Sequence, residues 1–93
     1  MFIGAATLEL EITDALTLKD KRRVVKSLLD RMCGKFNVAA AEVDRQDNAR
    51  RATLAVVTVA NRQDFVHRML ETVARFVESE PRAVLCDYTI EIF

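Results

Sequence analysis

The sequence predicts an α+β domain in which two helices cover one face of a four-stranded antiparallel sheet. Three observations carry that expectation. Hydrophobic residues recur with a period of two in four segments and with a period near 3.6 in two others. The segments alternate in the order βαββαβ along the chain. Glycine and proline number only two and one, so 93 residues leave no room for a flexible linker or a second unit, and residues 1–93 are read as one domain.

The first strand is read from Phe2 to Ile12. Its even positions Phe2, Gly4, Ala6, Leu8, Leu10 and Ile12 face a core, while its odd positions end in Glu9 and Glu11. After a connection through Asp14 and Thr17 the period changes. Leu18, Val25, Leu28, Leu29, Met32 and Phe36 fall on one arc, giving a helix over Leu18–Lys35, with Gly34 offering a left-handed C-terminal cap. Phe36–Arg45 reads as a weaker strand whose alternation falters at Ala39–Ala40–Ala41, where a bulge is expected.

The stretch Asp44–Asn48 is turn-rich, and Arg51–Ala60, dense in Val and Thr, is the strongest strand. Asn61 is the expected N-cap of a second helix, with Asp64 in its first turn and Phe65, Val66, Met69, Leu70, Val73, Phe76 and Val77 on its apolar arc. Pro81 ends it. Val84, Cys86, Tyr88, Ile90 and Ile92 then alternate with polar residues as a closing strand. With right-handed crossovers this order gives the ferredoxin-like βαββαβ plait, strand order 4-1-3-2, the first and third strands central.

Composition excludes several functions. The chain is 51% hydrophobic and 30% charged, an ordinary globular balance. Fourteen basic and fourteen acidic residues cancel, so no overall field draws DNA or an anionic membrane, and no DNA specificity or membrane partner is expected. The longest uncharged stretch, Ala52–Asn61, is half the roughly 20 residues a spanning helix needs. No basic–apolar leader opens the chain, and a cytoplasmic protein starting at Met1 is expected. Cys33 and Cys86 lack a CxxC partner and sit in apolar patterns, which predicts buried small hydrophobes.

The known uses of this fold set further requirements. A base-stacking sheet would need aromatic residues on its open face. The residues expected there are Ile3, Ala5, Thr7, Glu9 and Glu11 on the first strand and Thr53, Ala55, Val57 and Val59 on the third, with no aromatic among them. The first strand–helix connection, TDALTLKD, has neither the glycines of a phosphate cradle nor a cysteine pair for a metal. Glu42, Asp44 and Asp47 read as a solvated rim around a turn, and His67 beside Glu71 as a paired surface side chain. No nucleophile–base or metal constellation can be assembled, so a non-enzymatic protein without cofactor is expected.

One charged feature remains. Residues 19–35 carry a net +5, against −3 for residues 1–18 and −2 for residues 83–93. Lys19, Arg22, Arg23 and Lys26 follow i, i+3, i+4, i+7 spacing and share one flank of the first helix. Lys21 falls inside the apolar arc and is expected to snorkel past the sheet edge. Arg50 and Arg51 add charge at the start of the third strand. Such a stripe can hold phosphates without reading bases, which makes Lys19, Lys21, Arg22, Arg23, Lys26, Arg50 and Arg51 candidate RNA contacts. The bland alternative is a solvated face with local pairs such as Lys26 with Asp30.

The runs LTLKDKRRVVKSLLDRM, KFNVAAAEVDRQD and RATLAVVTVAN, with the closing DYTIEIF, resemble the YlxP-like proteins, a bacterial family of unknown function. The similarity spans essentially the whole chain. It implies a ferredoxin-like fold but no activity and no catalytic residues. Genes of this family often lie beside those for translation initiation and ribosome-binding factors, which implies a role in ribosome maturation or translation. Many relatives carry a tryptophan in the connection between the second and third strands; here the stretch is DNARR, with Ala49 at that position. The leading expectation is an accessory protein that binds ribosomal RNA or a ribosomal subunit through the stripe. The rival is an interaction or ligand-sensing module forming a homodimer through Ile3, Ala5, Val57 and Val59 on its open sheet face.

Overall fold

A computed structural model describes residues 1–93. Six elements follow one another: β1 (Phe2–Ile12), α1 (Leu18–Lys35), β2 (Ala39–Asp44), β3 (Arg51–Ala60), α2 (Gln63–Glu78) and β4 (Ala83–Ile92). The strands form one sheet of order β2-β3-β1-β4, all pairs antiparallel, and both helices lie on one face. This is the ferredoxin-like plait expected from the period changes.

β1 follows the predicted alternation closely. Ala6, Leu8, Leu10 and Ile12 are almost fully buried, opposite Val56, Leu54 and Ala52 of β3 or their flanks. Val25, Leu28 and Met32 from α1, and Val66, Leu70, Val73 and Val77 from α2, close the core above them. Gly4 lies where α2 packs closely over β1. A Cβ there would lie 2.3 Å from Val66 Cγ1 and 2.8 Å from Leu70 Cδ1. Even a methyl group at that position would force Val66 and Leu70 to shift.

Helix ends depart from the sequence reading. α1 starts with a reciprocal capping box that the sequence reading passed over. Thr17 Oγ1 accepts from the Asp20 amide at 3.1 Å, and Asp20 Oδ2 accepts from the amides of Thr17 and Leu16. These bonds, the one from Leu16 foremost, hold the Asp20 carboxyl below its ordinary range. Gly34 is not a left-handed cap; it lies within the last helical turn and Phe36 closes the helix in extended conformation. Asn61 does not cap α2. That position belongs to Arg62, which makes no side-chain capping bond.

The edge strands carry the other corrections. β2 begins at Ala39 rather than Phe36, because Phe36 is drawn against Phe76, ring centroids 5.6 Å apart, as part of the core's rim. Its bulge falls between Glu42 and Asp44, not at the alanines. β4 has a bulge opposite Glu9/Leu10, so Cys86 is the extra residue. That one residue inverts the alternation. Ala83 and Leu85 face inward before it and Tyr88, Ile90 and Ile92 after it, while Val84 and Cys86 turn outward. Cys86 is therefore exposed, as is Cys33, which follows Met32 out of the buried arc of α1; neither is the buried hydrophobe expected.

Candidate nucleic-acid interface on the first helix

Two sets of charges on α1 separate by angle. At about 100° per residue, Lys21, Val25, Leu28 and Met32 share an arc of about 60°. All four are buried. Lys19, Arg22, Arg23 and Lys26 span about 100° on the opposite side, and all four are exposed. The predicted stripe is therefore a solvent-facing surface on the side of α1 turned away from the sheet.

Lys21 is not part of it. The side chain is completely buried, with Nζ 2.9 Å from Glu42 Oε2 and donating to the carbonyls of Arg45 at 2.6 Å and Arg51 at 3.1 Å. Glu42 occupies an inward-facing position of β2, opposite Leu54, and so points beneath α1. The expected snorkelling fails because the ammonium finds its three contacts inside. With no exposed surface, the ammonium is out of reach of a phosphate at the helix face. The same contact removes Glu42 from the acidic rim sketched with Asp44 and Asp47.

The contact also shapes the loop between β2 and β3. Arg45 adopts a left-handed φ of 63°, unusual for a side chain of that size. Its carbonyl accepts from Lys21 Nζ and from the Asn48 amide, and Asn48 Oδ1 accepts from the amides of Arg50 and Arg51. Lys21 thus ties both ends of the loop to α1, and Arg50 lies within the tied segment. Arg51 points the other way. Its guanidinium lies 3.7 Å from Glu11 Oε2 on the outer face of the sheet, so Arg51 does not join the stripe.

Pairing separates the remaining cations. Of the fourteen Lys and Arg residues, only Lys19, Arg22, Arg23, Lys35 and Arg50 have no carboxylate within 4.0 Å. Four of those five belong to the first two turns of α1 or to the loop that Lys21 ties to it. Lys35, the fifth, stands 5.3 Å over the Phe76 ring. Lys26 is engaged with Asp30 at 2.8 Å on the surface, a bond that raises its pKa. Arg22 and Lys26 also line a shallow groove between α1 and β2, floored by Val25, Leu29 and Glu42.

Arg31, counted in the +5 segment, is committed elsewhere. It bonds Glu80, whose side chain is 3% exposed, and Arg82 closes on the same carboxylate at 3.0 Å. The Arg82 hydrogen bonds dominate and hold the Glu80 pKa at about 2, outweighing the upward push of burial. This clamp joins α1 to the α2–β4 connection. Sequence reasoning missed both of these carboxylates, Glu42 facing inward and Glu80 buried. A signal existed for Glu42, a charge in the inward phase of β2 facing a charge in the apolar arc of α1. Glu80 lies in a turn, where no periodicity marks it.

No group of three His, Cys, Asp or Glu side chains is gathered to hold a metal ion, and His67 Nε2 lies 3.7 Å from Glu71 Oε1 on the surface of α2. No helix is long and apolar enough to cross a membrane.

Two comparisons agree with the resemblance in the motif runs. The family model described as "Protein of unknown function (DUF503)" matches residues 3–90. The uncharacterized protein YlxP of Bacillus subtilis (strain 168) is 37% identical over 79 residues, which cover 85% of this chain and 86% of that protein. The matched span takes in both helices and all but the ends of the first and last strands, so the chain belongs to the DUF503 family, to which the YlxP-like resemblance pointed.

Proposed function

We propose that this protein is a non-enzymatic accessory that docks on ribosomal RNA, or on a ribonucleoprotein, through Lys19, Arg22, Arg23 and Lys26 of α1, with Arg50 of the β2–β3 loop assisting. The observation that supports this reading is the clustering of unpaired cations. Nine of the fourteen basic side chains have a carboxylate partner within 4.0 Å, and three of the five that do not, Lys19, Arg22 and Arg23, stand together in the first two turns of α1. A solvated face with no role would be expected to show the same mixture of paired and unpaired charges as the rest of the surface. Lys19, in the first turn, also stands at the positive end of the helix dipole, where a cation is unfavourable.

The mechanism is phosphate neutralisation. Guanidinium groups on a helix face bridge successive phosphates and release counterions, so shape rather than base sequence selects the site. The outer face of the sheet takes no part, having no aromatic side chain on β1 or β3 and carrying Glu9 and Glu11.

Co-sedimentation with ribosomal subunits and with naked ribosomal RNA across a salt series tests the reading. Four phosphate contacts on a single strand give a log–log salt slope of about −3. Reversal of Lys19, Arg22, Arg23 and Lys26 to Glu is expected to abolish binding while the chain still folds and melts cooperatively, because none of the four is buried. Binding that survives the reversal would refute the proposal.

A further inference from the structure

We infer that the uncovered face of the sheet is a dimer interface, and that its occupant is a second copy of this chain packed face to face with its strands aligned. The inference does not rest on the RNA reading, because the stripe lies on the opposite side of the molecule.

The first observation is where the exposed apolar bulk sits. Of nine exposed large hydrophobic residues, only Leu16, beside the start of α1, and Phe65 on α2 lie away from the sheet. Five gather at one end of it: Ile3, Val57 and Val59, at 37%, 41% and 52% exposure, with Met1 and Phe93 at 87% and 68%. Ile3 is paired with Val59 on one side, and exchanges both backbone hydrogen bonds with Phe93 on the other. The three side chains therefore form one row across β3, β1 and the end of β4. Ala5 opposite Val57, and Ala55 opposite Ala41, continue the patch with small side chains that let a second sheet approach closely.

The second observation is the charge pattern at the other end. On the outer face β3 presents Arg51, and the loop before it presents Arg45, whereas β1 presents Glu9 and Glu11. Positive groups thus lie on the β3 side and negative groups on the β1 side. A two-fold axis in the interface, running along the strands between β1 and β3, places each β3 over β1 of the second copy. The apolar end then meets the apolar end, and Arg51 meets Glu11 of the second copy twice over, as an isologous contact requires. Two juxtapositions are unfavourable, Asp44 against Asp87 and Glu91 against Ala39 of the second copy, and both fall on the edge strands at the solvated rim.

Area permits the contact. Four strands about 4.8 Å apart, the longer ones rising about 3.4 Å per residue, give a face about 19 Å wide and about 34 Å long. Two such faces bury on the order of 1,200 Å², the lower bound of a standard interface and suited to a dimer of micromolar or weaker affinity. Aligned packing of two twisted sheets supplies the geometry.

Sedimentation equilibrium of the purified full chain, from about 10 µM to about 1 mM without nucleic acid, tests this. The expected result is a mass rising from the 10.5 kDa of the monomer towards twice that value. The variant V57E/V59E is expected to remain monomeric throughout, a loss of at least about 100-fold in association, equivalent to two buried unpaired charges. Its thermal melt verifies folding, since both side chains are exposed. R51E and E11R are expected to weaken association singly, and R51E/E11R to restore it, which also serves if the valine variant does not fold. A wild-type chain that stays monomeric at about 1 mM overturns the inference and leaves the face to a different partner. A dimer that persists in V57E/V59E, or one indifferent to the charge exchange, overturns it equally.

Discussion

The two sides of α1 carry the same kind of residue and use it in opposite ways. On the inner side one lysine, Lys21, is wholly buried, with a carboxylate and two carbonyls around its ammonium. On the outer side Lys19, Arg22 and Arg23 are exposed and have no carboxylate within 4.0 Å. In the linear sequence these are neighbours within one +5 segment. In the helix about 100° per residue sends them to opposite environments. A buried cation is structural because water cannot replace a lost partner, whereas a surface cation is available because water already solvates it. Charge counts along a chain therefore overstate a binding face unless burial divides them.

The largest effect expected from breaking this contrast is at Lys21. Lys21→Met leaves the largely covered Glu42 carboxylate without its counter-charge and two loop carbonyls without a donor. The expected loss is about 3–5 kcal/mol, read by urea denaturation. K21M/E42L is expected to recover most of it, because an apolar pair of similar volume removes the stranded charge. A single-variant loss below about 1 kcal/mol would mean that the loop and Glu42 re-solvate without cost.

Glu80 sharpens the same contrast by way of pH. Its folded-state pKa of about 2 lies below the ordinary 4.5, so the carboxylate is favoured by folding. The stabilisation is fully present above about pH 4.5 and is lost as pH falls towards about 2. Linkage puts it at about 3 kcal/mol at neutral pH. Glu80→Gln is expected to lose most of that at pH 7, and the gap between variant and wild type should narrow steadily from pH 4.5 to pH 2.5. A gap that is constant across that range would show that packing, rather than the ionised clamp with Arg31 and Arg82, holds this corner.

The legible and illegible parts of the molecule divide along physical lines. β1, α1, β3 and the body of α2 were readable because each has one wet face and one dry face, so that periodicity records burial directly. Edge strands were less so. A single bulge at Cys86 reversed the phase of half of β4, and turned Val84 and Cys86 outward. The stripe residues Lys19, Arg22, Arg23 and Lys26 were legible, since helical spacing fixes their common flank. Lys21 and Arg51 were misassigned for a different reason. Their partners Glu42 and Glu11 are 21 and 40 residues away in the chain, and only the sheet and the packing of α1 bring them together.

The smallest effect separates a functional cation from an ornamental one. Lys19 sits at the second residue of α1, where unsatisfied amides make the helix end positive. Asp20 relieves part of that field through the capping box, but Lys19 itself has no carboxylate partner. Lys19→Glu is therefore expected to raise the melting temperature, by about 2–4 °C, through removal of one unfavourable charge and addition of a favourable one. The same substitution is expected to lower the log–log salt slope of RNA binding by about 0.7, the contribution of one phosphate contact on a single strand. Opposite movement of the two readouts would mark Lys19 as a residue retained against stability for the sake of a contact. A higher melt with unchanged RNA affinity would instead reduce it to a solvated charge, and would move the contact set towards Arg22, Arg23 and Arg50.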